Sequence, residues 1–174
     1  MAAAALISCD DVNGMSREAF VAAFGDVAEH SSWIAEAAAE GRPFSGLEAL
    51  IEAFQCAIGE APRDRRLALI RVHPDLAGKA ALAGELADDS RREQSGARLD
   101  RLTSEEFARF TRLNDAYTAR FGFPFIFAVK GATKHQILDA FEVRLENGPD
   151  EEFRTALEQV LRIVRFRLED RVRP

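Results

Sequence analysis

Cysteine is nearly absent: Cys9 and Cys56 are the only two in 174 residues. Two thiols build no disulfide framework, and this pair lacks metal-ligand spacing. Both are expected to be reduced, with Cys56 in ordinary packing. Histidine is also scarce, at three residues. No His-x-x-x-His pair or cysteine cluster occurs, which removes the ligand supply of a metal-dependent hydrolase. Long apolar runs are missing too. The stretch Met1-Ala-Ala-Ala-Ala-Leu-Ile-Ser8 is too short to span a membrane and lacks the basic start of a secretory leader. The end, Arg171-Val-Arg-Pro174, is not a Ser-Lys-Leu address. The cytoplasm is the expected location, without membrane association. Nor is there an excess of positive charge: Lys and Arg number 23 against 29 Asp and Glu, for a net charge of −6. Mixed along the chain, these charges argue against a nucleic-acid partner but leave room for a local cationic pocket.

What is present is apolar residues at helical spacing. The chain is 47% hydrophobic and 30% charged, which suits one domain over 1–174 with a sizeable core, residues 1–12 being poorly ordered. Ser16 caps a short helix carrying Phe20 and Phe24 that Gly25 stops; a second is expected over 32–40. Ser45 is placed to cap a third, with Leu47, Leu50, Ile51, Phe54 and Ile58 on one face until Gly59. A fourth starts near Pro62 and ends where Pro74 disfavours helical geometry at His73. Thr103 with Glu106, and Thr133 with Gln136, form capping boxes for two more. Asn147-Gly148 reads as a stop, and a last helix covers about 150–171. The fold class is all-α, a single-domain helical bundle.

One segment departs from that rhythm. Pro124 forbids a regular helix through Phe121-Gly-Phe-Pro-Phe-Ile-Phe-Ala-Val129, so 125–129 is expected to be extended. Its backbone groups need partners. It is a buried connector, a strand paired across a subunit interface, or backbone offered to a ligand.

Among the histidines, His135 falls in a first helical turn and is expected exposed, and His30 lies in a polar stretch. His73 stands apart, because Pro74 fixes its exit and Asp75 follows. An imidazole there can exchange protons at neutral pH, although a lone histidine is as readily structural. Ser90, Glu93 and Gln94 share one helical face. They read either as a capping box opened by Ser90 or as an anion-facing helix start. Arg167 lies among Val164, Phe166 and Leu168. Its guanidinium is either part of a solvated face or set to grip a carboxylate.

These pieces taken in order resemble the 2-oxo-4-hydroxy-4-carboxy-5-ureidoimidazoline (OHCU) decarboxylase family. The resemblance rests on His73-Pro-Asp-Leu-Ala-Gly-Lys79, Ser90-x-x-Glu93-Gln94, Leu113-Asn-x-x-Tyr117, Phe121-Gly-Phe-Pro-Phe-Ile126 and Arg144-Leu-x-Asn147, with Trp33 and Arg42-Pro-Phe44 upstream. It spans about 16–168. It implies an all-helical, dimeric enzyme without metal or organic cofactor that converts the ureidoimidazoline to (S)-allantoin in uric acid degradation. It makes His73, Glu93 and Arg167 catalytic. Pro74, the stretch Ser90, Arg91, Arg92, Glu93 and Gln94, and the stretch Phe125, Ile126, Phe127, Ala128 and Val129 would line the substrate pocket. Lys130 stands where the family commonly has arginine and is expected to face outwards. The competing expectation is a non-catalytic helical ligand-binding or scaffold protein of the same fold.

Overall fold

The computed structural model describes residues 6–174, the side chain of Ala80 aside. Its regular structure is helical. In chain order the helices are α1 (Cys9–Gly14), α2 (Arg17–Phe24), α3 (Trp33–Ala38), α4 (Leu47–Glu60), α5 (Arg63–Arg71), α6 (Lys79–Ala83), α7 (Asp88–Gly96), α8 (Ser104–Phe121), α9 (Lys134–Leu145) and α10 (Pro149–Glu169). The all-α expectation holds, and among the described residues the only β pairing is an isolated bridge between Ile7 and Val172. No described helix is long and apolar enough to cross a membrane.

The caps explain most helix starts. Ser16, Thr103 and Thr133 each accept the backbone N–H three residues on, and Glu106 and Gln136 return the bond to their cap's N–H. Residues 1–5 lie outside the described residues. The rest of the stretch expected to be poorly ordered is not loose: Ser8 and Asp11 form a capping box that opens α1. Ser45 is not a cap, because α4 starts after Gly46, which makes no side-chain bond. Ser90 is not a cap either. Helix α7 begins two residues earlier, with Asp88 and Asp89 placed in the first turn where the helix dipole favours acids. Cys56 is exposed rather than packed. It lies two residues from both Phe54 and Ile58, about 200° around the helix from that buried stripe.

The chain divides into two compact units. The first runs through Leu69 and resumes over Leu161–Pro174. Its core gathers Phe20, Phe24, Phe44 and Phe54, with ring centroids 4.9–6.3 Å from Phe20, beside buried Ile34, Leu50, Ile51 and Ile58. The second is Ile70–Val160. Its core is an aromatic cluster in which Phe125 stacks on Phe141 at 3.6 Å and meets Tyr117 edge-on at 5.2 Å. Pro124 thus does what its position predicts: helix α8 ends at Gly122, left-handed at φ 75°, and residues 124–129 run on without helix or strand pairing.

Candidate active site

His73 lies just past the end of α5, its N–H donating to Ile70 O at 3.2 Å, and it is only 8% exposed. The turn that follows is held tightly. Ala77 adopts φ 52°, a left-handed conformation costly for a residue with a Cβ. Its N–H donates to Gln94 Oε1 at 3.0 Å, while Gln94 Nε2 donates to Asp75 O at 3.3 Å. Asn114 Nδ2 donates to Leu76 O at 2.9 Å. The Leu76–Ala77 peptide is therefore gripped on both sides, by α7 and by α8. Gly78 is required next: a Cβ there would stand 2.6 Å from Asp75 Cβ. Half-burial pushes the Asp75 carboxyl above the ordinary range, helped by the charge of Asp115.

Helix α7 presents Ser90 and Gln94, both buried, with Glu93 half-buried. Arg91 and Arg92 are exposed and turn back on their own surroundings. Arg91 meets Asp88 at 3.3 Å and Leu86 O at 2.9 Å, and Arg92 pairs with Asp89. A cleft of about 690 Å³ lies in this unit, its walls including Ala77, Leu86, Gln94, Leu99 and Phe107. It borders the gripped turn; neither His73 nor Glu93 lines it.

The chain leading into segment 125–129 is tied to the end of α5, since Arg71 Nε donates to Gly122 O at 3.0 Å. Four of its five residues are buried. Arg144 Nη1 donates to Ile126 O at 2.6 Å, and Ala128 N–H donates to Gln159 Oε1 at 3.0 Å. These bonds limit which backbone groups of the segment are open to a ligand. An amide has one proton, so the Ala128 N–H is committed to Gln159, whereas the Ile126 carbonyl keeps a second lone pair. Arg144 is itself fixed by Glu152, which is 0% exposed: its Nε is 2.7 Å from Glu152 Oε1. The Tyr117 hydroxyl donates to the same oxygen, and Asn147 Nδ2 donates to Glu152 Oε2 at 2.8 Å. Burial, and then the bond to Glu152, push the Tyr117 phenol well above its ordinary value, so it stays protonated. Lys130 faces outwards, as expected.

Arg167 belongs to the first unit. It is 4% exposed and its Nη1 donates to Glu29 Oε2 at 3.1 Å and to Val27 O at 3.2 Å. The solvated-face alternative therefore falls. His30 and His135 are exposed. Among the described residues, no group of three or more His, Cys, Asp and Glu is gathered as a metal site would need.

The OHCU decarboxylase profile matches residues 13–169. The chain belongs to the OHCU decarboxylase family. An OHCU decarboxylase of Haloferax volcanii is 41% identical over 165 residues, covering 95% of this chain and 96% of that protein. A crystal structure of (S)-allantoin synthase superposes with a TM-score of 0.77 at 30% identity, over 95% of this chain and 54% of that one. A solved OHCU decarboxylase, crystallised in the presence of (S)-allantoin, gives a TM-score of 0.66 at 22% identity, over 80% of this chain and 89% of that one. At that identity the likeness is one of fold.

Within this family member, sequence reasoning singled out His73, Glu93, Gln94 and Arg167 but missed the residues that hold them. Glu29 is 138 positions from Arg167, and Asn114 is 38 from Leu76. Asn114 and Arg144 did stand in the recognised motifs, without an assigned task. A buried polar residue on an otherwise apolar helical face was the available signal.

Proposed function

We infer that the chain decarboxylates 2-oxo-4-hydroxy-4-carboxy-5-ureidoimidazoline to (S)-allantoin, with His73 as the proton donor. The observation that carries this reading is the buried imidazole just beyond a helix end, on a turn gripped from two helices. The bond between the ring carbon and the carboxylate breaks, releasing CO2. Its electron pair forms a C=C bond to the ureido-bearing ring carbon as the C=N pair moves onto nitrogen, which takes a proton from solvent, so the substrate supplies its own electron sink. His73 then protonates one face of the ureido-bearing carbon while the hydroxyl loses its proton and becomes the C=O of allantoin, and solvent returns a proton to the imidazole. A fixed donor on one face is what makes a single enantiomer.

Arg167 has the role of holding the substrate carboxylate, and Glu93 of hydrogen-bonding or deprotonating the substrate hydroxyl. Pro74, the 90–94 stretch and the 125–129 segment serve as binding surface. Within that segment the Ile126 carbonyl retains accepting capacity, which suits N–H donors of a ureido group. The enzyme works without metal or organic cofactor, as a homodimer in the cytoplasm, with residues 1–174 as a single OHCU decarboxylase domain. These points rest on the family resemblance, which runs across both units.

The test is stereochemical. Protein added to urate oxidase and the hydrolase that follows it yields optically active allantoin faster than the spontaneous reaction, and the rate survives chelators. His73→Ala removes that activity by roughly 10²-fold or more while helical circular dichroism is kept. Unchanged turnover in this variant would sink the assignment, and tight allantoin binding without turnover in the unaltered protein would favour a non-catalytic binder.

A further inference from the structure

The turn after His73 raises a question of residue choice. Asn114 lies on the buried face of α8, 5% exposed, three residues before Tyr117. Its Nδ2 reaches Leu76 O, but its Oδ1 is buried with no hydrogen-bond partner among the described residues. An unpartnered buried acceptor carries a desolvation penalty that a leucine of similar size would avoid. Packing alone therefore disfavours asparagine here. What asparagine supplies is the donor aimed at the Leu76 carbonyl.

The other side of the same peptide is held by Gln94, also 5% exposed, which accepts from Ala77 N–H. With its other end it donates to Asp75 O, so one amide side chain spans two peptides of the turn. Between them the two side chains fix the left-handed Ala77, which has no glycine's freedom to rest there unaided. Pro74 limits the backbone before the turn, while Gly78, where a Cβ would stand 2.6 Å from Asp75 Cβ, lets the chain close tightly after it. The Leu76–Ala77 peptide, between Pro74 and Gly78, is the one both amides hold. Rotation of that peptide changes the path of the chain leaving His73 and Pro74, and the ring with it.

We propose that Asn114, together with Gln94, is a positioning residue for His73: their amides lock the Leu76–Ala77 peptide and so hold the imidazole in its proton-delivering orientation. The consequence for catalysis rests on the decarboxylase reading; the structural coupling to His73 does not. Gln94 retains one Nε2 proton and one Oε1 lone pair, so a direct contact with substrate is compatible with this role.

The experiment uses the full chain and Asn114→Leu. With three histidines in the sequence, each Cε1–H resonance is resolvable, and His73→Ala assigns that of His73. In Asn114→Leu the His73 resonance shifts and broadens while those of His30 and His135 stay in place. On freshly generated substrate kcat falls by roughly 10²-fold, the loss expected from misplacing a reacting group by about 1 Å, with KM changed less than about two-fold. A lowered thermal midpoint with kcat and the His73 resonance both unmoved overturns the proposal, because that is what a packing role alone produces. Should Asn114→Leu not fold, Asn114→Ala, which removes the donor without adding bulk, is read in the same way. If His73→Ala keeps full turnover, the decarboxylase centre is misassigned. The resonance shift in Asn114→Leu still decides the coupling.

Discussion

Apart from α7, and from Arg167 in the first unit, the candidate site residues lie on two irregular segments of the second unit, and these are held by different physics. The turn 73–78 is pinned by two neutral amides, Gln94 and Asn114. The segment 125–129 is pinned by Gln159 and by Arg144, which sits in a buried cluster with Glu152, Tyr117 and Asn147. Neutral hydrogen bonds contribute roughly 0.5–1.5 kcal/mol each, whereas a buried charge left without its partner costs several. The first turn also borders a cleft of about 690 Å³, while Phe125 in the second is stacked in the aromatic core. The 125–129 segment is thus a backbone wall stiffened by a buried ion pair, and the turn carrying the imidazole is the more yielding of the two because its pins are neutral. Such a division suits a reaction in which the substrate must be held still and a proton must move.

The sharpest way to break the contrast is Arg144→Leu. It removes the donor on the Ile126 carbonyl and leaves Glu152, 0% exposed, without its guanidinium. We expect a loss of about 3–5 kcal/mol in denaturant unfolding, the cost of an orphaned buried charge. Replacing Glu152 by leucine in the same chain recovers much of it. If the single variant loses under about 1 kcal/mol, the cluster is not what stiffens the wall.

A smaller effect is expected at the neutral end of the same segment. Gln159→Leu deprives the buried Ala128 N–H of its acceptor. An unsatisfied amide costs roughly 1–3 kcal/mol, towards the low end here because Gln159 is only half-buried and water can substitute. Hydrogen exchange at Ala128 should accelerate while exchange in the α8 core keeps its protection. Slow exchange at Ala128 in the variant would show another acceptor already in place.

The positions of both segments were legible in the sequence, but their fastenings were not. Pro74 and Pro124 break helices by local sterics, and capping boxes at Thr103 and Thr133 close over three residues, so a short window reveals them. Ser90 misled for the same reason. Its spacing to Glu93 fits a capping box, yet it equally fits two residues one turn apart inside a helix that acids at 88 and 89 had already opened. The pins join residues 17–38 positions apart, Gln94 to Ala77 and Asn114 to Leu76 at the extremes. Only the tertiary packing of α7 to α10 on these segments brings those partners together, and no local pattern encodes it. The Ala128 amide illustrates the cost. An extended segment does require partners for its backbone, as expected, but Gln159 met part of that need before any ligand could.

The smallest effect concerns charge on the yielding turn. Burial, and then Asp115, raise the Asp75 carboxyl above its ordinary value of 3.8. A raised value means that the folded chain binds this proton more tightly than the unfolded one. The group's contribution is therefore fully present below 3.8 and is lost as pH rises through the higher folded value. At neutral pH the protein holds a half-buried carboxylate it would be more stable without. Asp75→Asn, similar in size and never charged, should raise the thermal midpoint modestly at pH 7. The gain should shrink towards zero as pH is lowered past 3.8, where the native carboxyl is itself neutral. Paired melts of the two proteins at pH 7 and pH 3.5 decide it: an equal gain at both values would mean that hydrogen bonding of the new amide, not removal of charge, is responsible. A gain confined to neutral pH would show that the turn bearing His73 tolerates an unfavourable charge that the 125–129 segment, with its paired Arg144 and Glu152, does not have to bear.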